Sequence, residues 1–590
     1  TGKIVLNDDV SQLITGDGNG IFQNLELNNN TGTAPISLES NITINGTLTL
    51  SQDKLFDINT YNLKLGASAT VVGASASRYI QTSGNAGDGG ITKVYSSSAT
   101  SFTFPLGAPT LIPVRAVKYT PSTITINGTP TAFGSITVNP VGYEHPATTF
   151  KGRSLTYYWR VKSSGFTLGS ATATQGYTYS STDVVTGAGI TEANYVAARY
   201  NGISYTWTNG TTSDVDKTNK IIGEPGVGTF LENVSFIDGD YTAGDNSSNN
   251  PFGTPKKFYS LANGNWDVPA TWSNTSHTGP AATSTPATND IVIIGNGNTV
   301  TLTKTENCAS LQIETGSTLD IYTYTGSTFS MVMNNPGGNG LFRVTTPVTV
   351  NNSTPGLFTF PKGDFSDFNT NGGTTEFYDI DGTVGALYIL PANVTQYGNL
   401  ILTAKGGDNL VLPNNAATNI YGDLTCNGDG NTAWIAMSWN TAIWPYNNNT
   451  AYNPTIEKTV HVKGNMFINA GSFEFFNDKT PQHLIVDGNI TIAAGAVLEI
   501  YPGYPFATPV VTNTIAIGGS IINNNKMTLS AVTGGRTYNI DATFFGATPA
   551  SITNTEGNPT TVFNNVLVNK GTSQATTLTL DIGGTLTTPT

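Results

Sequence analysis

Apolar and polar residues alternate in short runs along nearly the whole chain, and each run stops at Gly, Asn or Asp. An amphipathic helix would bring apolar residues back every ~3.6 positions, a spacing almost absent here. The pattern therefore predicts strands joined by tight turns. Two wordings recur. One is an Asn-Leu type of strand: FQNLELNNNTG at Asn24, ASLQIETG at Leu311, YGNLILTAKG at Asn399 and FNNVLVNKG at Asn565. The other sets Gly between apolar residues. It reads ITINGTLTL at Gly46, NIYGDLTCNG at Gly422, VHVKGNMFINAG at Gly464, LIVDGNITIAAG at Gly488, IAIGGSII at Gly519 and LDIGGTLT at Gly584.

Three times the first wording leads to the second: Asn24 to Gly46, Asn399 to Gly422 and Asn565 to Gly584, separations of 22, 23 and 19 residues. A period near twenty is one coil of a β-solenoid, in which each turn stacks a short strand on the one before. The recurring Gly is expected where the chain bends sharply between faces. Alternating residues after it, such as Ile490 and Ile492, would point inward and stack. An ordinary β-sandwich with similar strand wording is the competing reading.

The repeat lapses in the middle. RAVKYTPSTITINGTPTAFGSITVNP, TYYWRVKSSG and NYVAARYNGISYTWTNG are longer alternating strands with aromatics, spaced like an immunoglobulin-type sandwich. Trp159 would be its core ring, and Trp207 would lie in a hairpin. The expected fold is all-β: right-handed β-solenoid blocks at 1–100 and 256–590, with an immunoglobulin-like β-sandwich at 101–255 between them.

Composition supports strands over disorder. Of 590 residues only 11% are charged, while 38% are hydrophobic and 10% aromatic, with 65 glycines. The net charge of -13 is spread thinly. No basic stripe is present, which argues against nucleic acid as a partner. No apolar run approaches the ~18 residues of a membrane span. Cys308 and Cys426 make no CxxC pattern; a disulfide and two buried thiols both remain open. The first residues, TGKIVL, do not read as a signal peptide, and the last, TLTTPT, follow a strand; the expectation is a piece of something longer.

The joint order of several motifs resembles a known class. FYSLANGNWDVPATWS, PATNDIVIIGNGNTVTL and SLQIETGSTLDI, together with EFYDIDGTVGALYIL running into YGNLILTAKG, and YYWRV in the middle, are similar to repeat units of very large Bacteroidota surface proteins. These include gliding-motility adhesins and other type IX-secreted exoproteins. The resemblance implies export across the outer membrane, an extracellular position on the bacterial cell surface, secretion and anchoring machinery as partners, and a structural or adhesive role. No stretch of the given sequence reads as the C-terminal sorting domain typical of such proteins, which fits the expectation of a segment of something longer.

Several residues are candidates for chemistry. Trp266 and Trp272 sit in a polar Pro- and Gly-rich run just before the second block's strands; they either stack sugars or cap the end of the stack, and their position favours the cap. WIAMSWNTAIWPY crowds Trp434, Trp439, Trp444 and Tyr446 into an excursion at 431–452, which would contact glycan or a solid surface, or fold back and bury its rings. Acidic turns at Asp17, Asp429 and, best, Asp238, Asp240 and Asp245 raise calcium as a possible cofactor, though none is a full EF loop and Asx turns explain them equally. Asp379 and Asp381 in FYDIDG could form a carboxylate pair on one strand face, but a turn-facing Asp explains them more simply. His145, His277, His461 and His483 have neither HExxH spacing nor a partnered nucleophile.

The expected function is a stiff rod presenting loops, a structural or adhesive segment and not an enzyme. The alternatives are a polysaccharide-degrading parallel β-helix enzyme, recognisable by a groove where carboxylates converge with a Lys or Arg, and an end-to-end filament subunit that associates with itself.

Overall fold

The computed structural model describes residues 2–587 except 9, 17, 30–35, 52–54, 112–113, 188, 330–338, 346–355, 380–385, 414–416, 430–432, 438–456, 477–480, 502–510, 534–535, 555–558, 572–575 and 583–585. The chain is almost entirely β; among the described residues the one α-helix is Ser366–Thr370. It divides into two units. One holds Thr1–Lys256 with Thr288–Ile291 and Cys308–Ser310, and the other holds Lys257–Ala287, Val292–Asn307 and Leu311–Thr590.

In the first unit, consecutive strands go to different sheets, and every third strand returns to the same sheet beside its predecessor. Lys3–Leu6, Asn24–Leu27, Thr47–Leu50 and Thr70–Val72 make one parallel series. Gln12–Ile14, Ile36–Leu38, Phe56–Asn59 and Ile80–Thr82 make a second. Gly20–Phe22, Ile42–Ile44, Asn62–Leu65 and Gly90–Val94 make a third. Period-two alternation turns Leu25, Leu48, Ile44 and Leu63 inward, all fully buried, and leaves threonines such as Thr43 and Thr49 on the outside.

Gly90–Val94 changes the pairing. It is parallel to Asn62–Leu65 on one side and antiparallel to Ser135–Val141 on the other. The same sheet then continues antiparallel through Tyr158–Ser164, Gly239–Asp245, Tyr195–Asn201 and Thr206–Asn209. A second antiparallel sheet contains Ser101–Phe104, Ser122–Asn127, Thr172–Thr178 and Ile221–Gly223. Trp159 is fully buried among Tyr157 and Tyr177, with ring centroids at 5.2 and 5.3 Å, and its indole N–H donates to the Thr120 carbonyl at 3.0 Å. Trp207 lies in the hairpin of Tyr195–Asn201 and Thr206–Asn209. One cluster of buried side chains runs from Leu25 in the parallel strands to Trp159 and Tyr241 in the antiparallel part, so a single core serves both.

In the second unit strands again return in parallel beside an earlier strand, at every third described strand from Thr374–Tyr378 to Ile521–Asn523 and at other spacings before and after. One parallel series runs from Gly264–Asn265 through Thr299–Thr301, Thr318–Asp320, Leu341–Val344, Thr374–Tyr378, Asn399–Thr403, Leu424–Asn427, Met466–Ala470, Ile490–Ile492, Ile521–Asn523 and Ala550–Asn554 to Leu578–Ile582. A second contains Leu387–Ile389, Asn409–Val411, Trp434–Ala436, Ser472–Phe476, Val497–Tyr501 and Lys526–Thr528. A third contains Ala417–Ile420, Lys458–Val462, Gln482–Val486 and Thr512–Ile517. Ile490 and Ile492 are fully buried, as their alternation predicts.

The recurring Gly has a different cause from a sharp bend. None of Gly46, Gly422, Gly464, Gly488 and Gly519 has positive φ. Instead, each lies tight against an earlier segment of the chain. A Cβ on Gly464 would stand 2.4 Å from Asp423 Oδ1 and 2.6 Å from the Gly422 carbonyl oxygen; on Gly488 it would stand 2.5 Å from the Gly464 oxygen. The N–H of Gly422 donates to Gly398, Gly464 to Gly422, Gly488 to Gly464 and Gly519 to Gly488, each at 2.9 Å. Beside this glycine column stands a side-chain ladder. Asn399 Oδ1 accepts from the Asp423 N–H at 2.9 Å, Asp423 Oδ1 from Asn465 at 2.7 Å, Asn465 Oδ1 from Asn489 at 2.9 Å, and Asn489 Oδ1 from Ser520 at 2.7 Å. Asn24 Oδ1 accepts from Thr47 at 2.9 Å in the first unit. Each rung satisfies a backbone donor where the chain passes between strands.

Candidate functional site

Trp266 follows the first strand of the twelve-stranded series, and its N–H donates to Thr301 at 2.9 Å. Trp272 meets it edge-on at 5.2 Å, and the Trp272 indole N–H donates to the Trp266 carbonyl at 2.7 Å. Both rings are fully buried, with Phe329 6.0 Å from Trp266 and Phe258 6.4 Å from Trp272. No face of either ring is open for a sugar to stack on.

Of the aromatic excursion at 431–452, Trp439, Trp444 and Tyr446 lie outside the described residues. Trp434 is described. It is partly buried on Trp434–Ala436, and it packs on an outward apolar group of Leu387, Ile389, Val411 and Ala436. The inward residue of that strand, Ile435, is fully buried. Trp434 thus belongs to the sheet's outer face.

Asp238, Asp240 and Asp245 take separate partners. Asp240 lies in register with Arg160 on the adjacent antiparallel strand. Arg160 Nε donates to Oδ1 at 3.0 Å and Nη2 to Oδ2 at 3.1 Å, a two-point clamp. His145 Nε2 is 3.0 Å from the same Oδ2, with its ring enclosed by Tyr158, Tyr200 and Trp207. Burial opposes ionisation of Asp240, but the Arg160 guanidinium and the His145 contact outweigh it and hold the carboxyl well below its usual range. Burial likewise pushes the His145 pKa down, favouring neutral imidazole. Asp245 accepts from the Thr191 and Ser247 N–H groups at 2.8 and 2.9 Å and lies 3.4 Å from Arg153 Nη2. Asp238 is exposed and accepts from the Ser163 N–H. Asp429 Oδ2 accepts from the Gly406 N–H at 3.1 Å, and Asp17 lies outside the described residues. Among the described residues no group of three or more His, Cys, Asp and Glu is placed to hold a metal ion.

Asp379 follows the strand Thr374–Tyr378 and is buried, its N–H donating to Thr403 at 3.0 Å; Asp381 lies outside the described residues. His277 meets Glu314, His461 meets Asp487 and His483 meets Glu457, so each remaining histidine has one carboxylate partner. Cys308 and Cys426 are free, buried thiols, and burial pushes both pKa values up. No helix among the described residues is long and apolar enough to cross a membrane.

Two polar groupings escaped the sequence. Asp320, Arg343 and Glu376 fall in register on three adjacent parallel strands. Arg343 Nη1 donates to Asp320 at 3.0 Å and Nε to Glu376 at 2.6 Å. The Tyr378 hydroxyl donates to Asp320 at 2.9 Å, with Arg343 4.1 Å above the Tyr378 ring, and Thr403 donates to Glu376 at 2.7 Å. Both carboxylates are tied to the same guanidinium, an arrangement that staples three adjacent strands together. The second grouping is Glu474, Glu499 and Lys526, on the same outer face as Trp434. Their signal in sequence was only an acidic residue between apolar ones, FEF and LEI, 25 residues apart.

Comparison with protein-family models, with curated proteins and with solved structures gave no match.

Proposed function

We propose that the chain is a structural, adhesive segment of a large secreted bacterial cell-surface protein. In this reading the coils are right-handed β-solenoid blocks, the antiparallel part of the first unit is an immunoglobulin-like sandwich, and faces of the coils meet glycan or a solid surface. The observation that carries the reading is the unbroken ladder from Asn399 to Ser520 beside the glycine column. Side-chain rungs added to strand pairing resist shear between coils, the property a load-bearing surface segment needs. Buried Trp266 and Trp272 fit a structural cap at the start of the second block. Calcium has no part in this reading.

Pulling on the two ends of the chain tests it. A coil of about 22 residues spans at most ~75 Å when extended. The second unit is expected to lengthen in repeated steps near that size, with larger steps where excursions interrupt coils. A single cooperative rip of the whole unit overturns the load-bearing reading.

A second reading, end-to-end self-association, is favoured by two edge strands. Lys3–Leu6 exposes Ile4 (52%) and Val5 (44%), and Val566–Lys570 exposes Val566, Leu567 and Val568. Among the described residues each pairs on one side only.

A further inference from the structure

We propose that the outer face carrying Trp434, Ser472, Glu474, Glu499 and Lys526 is a binding site for a neutral glycan. The proposal rests on the adhesive reading above and names the ligand class and residues of that contact.

The four strands Trp434–Ala436, Ser472–Phe476, Val497–Tyr501 and Lys526–Thr528 are parallel and in register. Their inward residues, Ile435, Phe473, Leu498 and Met527, are all fully buried. Alternation therefore turns two rows outward. One row is Trp434, Ser472, Val497 and Lys526; the other is Ala436, Glu474, Glu499 and Thr528. At ~4.8 Å per strand the rows run about 15 Å, the length of two or three sugar rings.

Within this patch Glu474 is 4% exposed. Its Oε1 accepts from the Ser472 hydroxyl at 2.6 Å, while Oε2 is buried and finds no partner among the described residues. A buried polar atom without a partner is costly, and a ligand hydroxyl would relieve it. Burial pushes the Glu474 carboxyl up to about 7, opposed by the Ser472 hydrogen bond, so near neutrality this group can both donate and accept. Glu499 accepts from Lys526 Nζ at 2.6 Å, and the Lys526 side chain is 43% exposed. An indole beside closely spaced donors and acceptors matches a pyranose, which offers an apolar C–H face and a rim of hydroxyls. With Glu499 paired to Lys526, the partly ionised Glu474 leaves this face negative, which disfavours uronate and sulfated glycans.

Calorimetric titration of the full chain with cellohexaose, laminarihexaose and mannohexaose, and with hexagalacturonate as the acidic comparator, tests the site. At least one neutral probe should saturate the chain, and Glu499→Gln and Trp434→Ala should each weaken it by about tenfold or more, roughly 1.4 kcal/mol. Should Trp434→Ala fail to fold, the half-exposed Lys526→Met variant carries the same expectation. The proposal is overturned if no neutral probe binds at millimolar concentration, if the variants bind within about twofold of wild type, or if hexagalacturonate binds equally well. Its failure leaves the stepwise lengthening untouched, and failure of that lengthening leaves the titration standing.

Discussion

Gly464 has room for a hydrogen and nothing more: the atoms a Cβ would strike are backbone and a ladder carboxylate, neither able to retreat. Gly464→Ala should therefore destabilise by about 1–3 kcal/mol or more, as overpacking does. Gly326, whose nearest neighbour to a Cβ lies at 3.5 Å, should accept Ala with little change. Denaturant titration of both variants checks the contrast, and equal costs would refute the close-approach account. Glu474 gives a pH prediction. An ordinary Glu titrates near 4.5, and folded Glu474 titrates near 7 because burial disfavours its charge. The folded state thus holds its proton more tightly, so this group's contribution is complete below about 4.5, is lost as pH rises through about 7, and then stays constant. Glu474→Gln should match wild type at pH 4 and melt higher at pH 8; a difference independent of pH would contradict it. At this scale the sequence announced where glycine recurs but not why, because a bend and a close approach leave the same letter. The carboxyls of the face beside Trp434 were illegible, since an acidic residue between apolar neighbours reads as any outward strand position.

Among elements, the return of a strand to its own parallel sheet is what repeats, and the length of chain between returns is uneven. Successive ladder bonds span 24, 42, 24 and 31 residues. The period was therefore legible only where no excursion lengthened the return, as between Asn24 and Thr47, 23 residues apart. The change from parallel to antiparallel pairing at Gly90–Val94 left no mark, since the alternation of GITKV serves either partner. The place of Trp266 and Trp272 before the strands led to the expectation of a cap; the structure buries both rings, and that burial carries a prediction. Trp272→Ala should cost about 3–5 kcal/mol, the price of emptying a packed aromatic site, without weakening glycan affinity. A loss of binding at unchanged melting temperature would instead make it a ligand ring.

For the whole molecule, sparse charge has a consequence. With 11% charged residues, little electrostatic repulsion guards the exposed edges at Lys3–Leu6 and Val566–Lys570. If those edges pair between copies, sedimentation velocity should show mass rising with concentration, and Val5→Lys combined with Leu567→Lys should abolish the rise. Concentration-independent monomers of the unaltered chain would remove self-association. The coil account itself meets its most direct test in residue-resolved hydrogen exchange. The amides of Asp423, Asn465, Asn489 and Ser520 should exchange as slowly as those of the flanking strands, and Asn465→Ala should selectively accelerate Asn489. Exchange of all four at the rate of exposed turns, or an Asn489 amide indifferent to the loss of its acceptor, would contradict the ladder on which the proposed stack depends.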